Sequence, residues 1–172
     1  MRAIGKGSLS SILAVGLHGT RVILWICLGG VTIALMVLPL APMIANMFAG
    51  SDAIIFDGDG LVDAEDFIKV ASAFVTFAVM LFVVNRLLEI LKTLRFGSPF
   101  VKENADRFRG LGYALLMGEG AKFAFGFLSL IYDADVNINT SFITWLAIIA
   151  VFVLSEVFRE GAQMKEEQDL TV

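Results

Sequence analysis

Residues 112–132 read GYALLMGEGAKFAFGFLSLIY. This stretch is apolar and long enough to cross a bilayer as a helix, which takes roughly 20 residues. Glu119 and Lys122 stand near its middle. Ionisable groups at that depth are costly, so they face protein or water and need partners. The stretch therefore reads as a membrane-spanning helix with a charged pair inside it. The remainder of the chain reads as the helices that enclose this pair.

Three further apolar runs flank it, at about 22–47, 69–91 and 142–158. The last is slightly short and could begin at Thr140 or Ser141. Pro39 and Pro42 fall in the outer half of the first run and predict a kink or an early helix end. Of 172 residues, 58% are hydrophobic, and the mean hydropathy is +0.82. Soluble domains stay near roughly 45–50% apolar even with Gly counted. The pattern predicts an all-α integral membrane four-helix bundle forming a single domain over 1–172. The net charge of −4 is small and scattered, which argues against direct contact with nucleic acid. Cys27 stands alone in an apolar run, so an intrachain disulfide and a thiolate metal cluster are excluded.

Residues 1–21 carry Arg2, Lys6, His18 and Arg21 around the patch Leu9 to Leu17. They read as an N-terminal amphipathic helix at the membrane surface, with Ile4, Leu9, Ile12, Leu13 and Leu17 dipping inward. Of the 13 Lys and Arg, three lie in 1–21, six between Arg86 and Arg109, and two after Glu156. Under four spans those 11 share one side, only Lys69 takes the other, and Lys122 lies inside. Lys and Arg accumulate in cytoplasmic loops. Both termini and the second loop are thus expected in the cytoplasm, with residues 159–172 as a cytoplasmic tail.

The outward loop contains IFDGDGLVDAED at 55–66. With Gly60 at the sixth position of a calcium loop, Asp57, Asp59, Asp63 and Asp66 take positions three, five, nine and twelve. Ile55 at position one cannot ligate through its side chain, and Asp66 is one methylene shorter than the usual bidentate Glu. The other reading is an acidic turn in which Asp63 caps the next helix and Glu65 and Asp66 suit its positive end. The two readings can coexist. Apart from calcium, no cofactor is expected.

The second loop reads FGSPFVKENADRFRGLG at 96–112. Gly97 ends a helix, and Ser98 and Pro99 look like the N-cap and first residue of a short interfacial cytoplasmic helix that turns into span three. Lys102, Arg107 and Arg109 give it a basic rim suited to anchoring or to anionic lipid. A polar cluster is expected in the inner half of the bundle from Asn85, Arg86, Glu89, Glu119, Lys122, Glu156 and Arg159. It offers the pairs Arg86–Glu89, Glu119–Lys122 and Glu156–Arg159 at i,i+3, and Arg86 as an alternative partner for Glu119. The cluster reads either as a structural clasp or as a polar site for an ion, a proton or a lipid headgroup. Small residues on span three, and Gly29 and Gly30 on span one, predict close helix approach.

The segment FGSPF with Asn104 and Arg107 or Arg109, and the ending EVFREGAQMKEEQDLTV at 156–172, carry a resemblance. With four spans in this length, the chain resembles the bacterial membrane-protein family catalogued as domain of unknown function 2975. The resemblance implies an inner-membrane protein and a helix-turn-helix regulator encoded nearby as a partner. It supplies no catalytic residues. The sequence has no GxSxG, HExxH or phosphate-binding glycine loop, so a non-catalytic sensing, regulatory or scaffolding module is expected. The alternative is a small transporter or channel subunit that uses the charged cluster. Four spans leave little room for a pore, so transport implies a homo-oligomer.

Overall fold

The structure, a computed structural model, describes residues 9–41, 43, 64–96, 99–132, 134 and 140–170. Four long helices account for nearly all of them: α1 (Leu9–Val37), α2 (Ala64–Phe96), α3 (Lys102–Tyr132) and α4 (Phe142–Leu170). All four are long and apolar enough to cross a membrane. The protein is an all-α, four-helix, multi-pass membrane protein.

The helix ends follow from local chemistry. Pro39 closes α1, which gives way to a 3-10 turn at Leu38–Leu40. α2 stops at Phe96, one residue before Gly97. α4 is capped by Ser141, whose Oγ accepts the Ile143 N–H at 3.2 Å. Glu65 and Asp66 occupy the first turn of α2, where a helix favours negative charge, and Glu65 also pairs with Lys69 one turn on.

Two segments expected as separate short helices are continuous with the spans. Residues from Leu9 to Arg21 form the first turns of α1, and residues from Lys102 to Gly112 form the first turns of α3. α3 starts at Lys102 and not at Pro99, which sits in a bend. A helix of about 30 residues is roughly 45 Å long, against about 30 Å of hydrocarbon. The charged turns therefore continue beyond the apolar core as extensions of the same rods.

Each helix packs antiparallel on its neighbour in sequence. The close pairs among the described residues are α1–α2, α2–α3 and α3–α4. Leu24 of α1 is buried with Leu81 and Val84 of α2, and Leu17, Leu28, Phe77 and Leu88 pack around them. Gly118 of α3 sits against Val79 of α2, where a Cβ would meet Val79 Cγ1 at 3.2 Å. Gly112 takes the Phe152 ring of α4, where a Cβ would come within 2.8 Å. These two glycines perform the close approach expected of small residues in membrane helices. Gly29 and Gly30 do not: nothing lies within 4 Å of a Cβ at either position. Ile26, Ile33, Met117, Leu130, Phe142 and Ile143 are exposed on the outer faces, as lipid-facing side chains are.

The antiparallel order places the start of α1, the end of α2, the start of α3 and the end of α4 at one end of the bundle. Arg21, Lys92, Arg107 and Arg159 are all found there.

Candidate functional site

Two polar assemblies stand out, one halfway along α3 and one at the basic end. The first is built on a stripe of α3 with seven-residue spacing, Ala105, Gly112, Glu119 and Gly126, all buried. Seven residues are nearly two turns, so the four share a face. Ala105 and Gly112 meet α4 on that face, through Ser155 and Phe152. Three of the four are small, and the fourth, Glu119, is only 3% exposed.

Lys122 donates to Glu119 Oε1 at 2.6 Å, from a side chain that is 38% exposed. Glu119 Oε2 is buried and has no hydrogen-bond partner among the described residues. Such an oxygen normally finds a partner, because desolvating it unpaired costs about 1–3 kcal/mol or more. The site is therefore half satisfied by the protein, with room in its bonding for a proton, a water or a cation.

Arg86 does not join it. Val79 faces Gly118 and Thr93 meets Arg107, so Arg86 is level with about Gly112, roughly 10 Å along the axis from Glu119. Arg86 instead donates to Glu89 at 2.8 Å and lies over the Phe82 ring, 5.0 Å from its centroid. Glu156 and Arg159 pair with each other on α4. The three i,i+3 pairs all form, but as three local pairs and not as one network. Asn85 lines a cleft between α1 and α2.

The second assembly ties α2, α3 and α4 together. Asn104, in the first turn of α3, is 0% exposed. Its Nδ2 donates to the Pro99 carbonyl at 3.0 Å, and its backbone N–H donates to the Val101 carbonyl at 3.0 Å. These two bonds hold the turn before α3 and explain why the helix starts after Pro99. Asn104 Oδ1 accepts from Arg107 Nη1 at 2.8 Å. Arg107 also donates to Thr93 Oγ1 at 2.8 Å, and its Nε lies 3.5 Å from Glu89 Oε2. Ser155 Oγ of α4 donates to the Ala105 carbonyl at 2.9 Å. Phe158 packs against Phe100 and Phe108 with ring centroids 5.6 and 4.9 Å apart. Gly161 admits the Phe100 ring, since a Cβ there would come within 2.5 Å of it.

Asn104 and Arg107 thus give physical content to the FGSPF…N…R segment: a turn, its lock, and a bridge to the preceding helix. Their part in the polar interior was not foreseen, although Glu89 was. Asp57, Asp59 and Asp63 lie outside the described residues, so the calcium loop is represented only by Asp66, in the first turn of α2.

Residues 62–172 match the family described as protein of unknown function (DUF2975). The chain belongs to that family. The match takes in α2, α3 and α4, and with them both polar assemblies. No curated protein and no solved structure matches the chain.

Proposed function

We infer that this is a non-catalytic protein of the bacterial inner membrane that senses or regulates through its cytoplasmic end. The observation that carries this reading is the assembly around Asn104, where α2, α3 and α4 are bonded into one platform. A platform of that kind fixes the shape of the α2–α3 connection and of the tail relative to the spans. It suits docking of a soluble partner, and the family resemblance suggests a helix-turn-helix regulator encoded nearby. The chain then touches DNA only through that partner, and needs no cofactor. Under four spans, eleven of the 13 Lys and Arg of the sequence fall on the platform's side, which supports a cytoplasmic location. A reporter fused after Val172 is expected to be active only as a cytoplasmic fusion. Activity confined to a periplasmic reporter would reverse the orientation and remove the platform from any DNA-binding partner.

A second reading is favoured by Glu119. A buried carboxylate with one unpaired oxygen at mid-membrane is also what a proton or cation pathway requires. Transport would then engage a homo-oligomer, since four spans leave little room for a pore. Ion flux in proteoliposomes separates the two. With an imposed pH or potassium gradient, the regulatory reading expects flux no greater than in empty liposomes. A protein-dependent flux abolished by Glu119→Gln would replace it with the transport reading.

A further inference from the structure

A cleft of about 510 Å³ opens between α1 and α2 at the basic end, lined by Ala14, His18, Arg21, Asn85, Leu88, Glu89, Leu91 and Lys92. Glu89 is its one acid, and that carboxylate is already engaged by Arg86 and Arg107. Arg21 and Lys92 have no acidic partner among the described residues. His18 donates from Nδ1 to the Ala14 carbonyl at 2.8 Å, which fixes its tautomer and leaves Nε2 to a ligand. Two unopposed cations, an imidazole and the Asn85 amide therefore line one concave site with an apolar floor of Ala14, Leu88 and Leu91.

The depth of the cleft is also specific. Arg21 is the last charged residue before the uncharged run from Val22 to Ser51, and on α2 the uncharged run from Val70 ends at Asn85, seven residues before Lys92. The packing of Leu24 with Leu81 and Val84 sets Arg21 level with about Asn85. Arg21 thus stands at the edge of the hydrocarbon and Lys92 about 10 Å outside it, so the cleft reaches into the layer where phospholipid phosphates lie. One turn deeper on α1, Trp25 and Ile26 are exposed, an aromatic and apolar surface for an acyl chain.

We propose that this cleft binds a phosphate group through Arg21 and Lys92, carried by an anionic phospholipid or present as free phosphate. The cleft lies on the α1–α2 side and does not depend on the regulatory reading above.

The test is thermal unfolding of the full chain, delipidated in neutral detergent, with added phosphatidylglycerol, phosphatidylcholine or inorganic phosphate. At a ligand concentration about 100-fold above Kd, the bound form should unfold roughly 5–10 °C higher. A shift with phosphatidylglycerol, absent with phosphatidylcholine and lost in Arg21→Gln with Lys92→Gln, assigns the site to a lipid headgroup. The same shift with inorganic phosphate, lost in the same variant, assigns it to free phosphate. Should the double variant fail to fold, each single variant is expected to reduce the shift. Lys165→Gln, a basic change outside the cleft, should leave it intact. No shift with either phosphate source, a shift that survives both single variants, or one lost equally in Lys165→Gln would overturn the proposal.

Discussion

Glu119→Ala destabilises the protein by roughly 2.5–3.5 kcal/mol, the cost of a lone charge at the centre of a membrane helix. The substitution removes the acceptor of Lys122 Nζ and leaves an ammonium with no counter-charge at mid-span. It also opens space on the stripe that α4 covers. Glu119→Ala combined with Lys122→Ala recovers a large part of the loss, because the stranded base goes with the acid. Glu119→Ala combined with Arg86→Ala recovers none of it, since Arg86 is engaged by Glu89 and lies about two turns away. Glu119→Gln should fall between, as an amide oxygen can still accept from Lys122. Thermal unfolding in detergent reads all four variants. Unchanged stability in Glu119→Ala, or rescue by Arg86→Ala in place of Lys122→Ala, would show that the pair is assigned wrongly.

Asn104→Leu is expected to cost about 2–4 kcal/mol, from two lost side-chain bonds in a site closed to water. Leucine has the same branching and heavy-atom count but bulkier methyl groups, so overpacking adds to the lost bonding. The Pro99 carbonyl loses its donor, and Arg107 loses one of its acceptors while keeping Thr93 and Glu89. Asn104→Asp keeps the acceptor for Arg107 but cannot donate to Pro99, which separates the two bonds. If Asn104 locks the turn, trypsin should cleave after Lys102 several-fold faster in Asn104→Leu than in the parent at equal temperature, because local opening of that segment becomes easier. Equal cleavage rates and equal unfolding temperatures would mean that the turn is held by the Phe100, Phe108 and Phe158 contacts alone.

The sequence carried some of this and withheld the rest for identifiable reasons. Apolar run length is enough to find the four spans, and Pro39 marks a helix end through its fixed backbone and missing N–H. The pairs Arg86–Glu89, Glu119–Lys122 and Glu156–Arg159 were also legible, since a helix fixes what lies at i,i+3. Register between helices is not a local property. Arg86 was an alternative partner for Glu119, but the contacts of α3 with Val79 and Thr93 set the two about two turns apart. The bridge from Arg107 to Thr93 and Glu89 was hidden for the same reason. Asn104 was visible only as a residue of a familiar segment; an Asn in the first turn of a helix is ordinarily a surface residue. Gly29 and Gly30 show the opposite error, where a small residue predicts an approach that no neighbour makes. Helix continuity through 9–21 and 102–112 does not show in apolar run length, because charge ends only the part of a helix within lipid.

The account's central claim is that the Asn104 platform presents the α2–α3 connection and the tail to a soluble regulator. The direct measurement is binding of a helix-turn-helix regulator, the partner proposed above, to the full chain in lipid nanodiscs, with the parent protein and Asn104→Leu compared in one titration. The account predicts saturable binding to the parent, and a loss of about tenfold or more in Asn104→Leu, equivalent to about 1.4 kcal/mol of docking energy. Absence of binding to the parent protein, or equal affinity for both proteins, would contradict it.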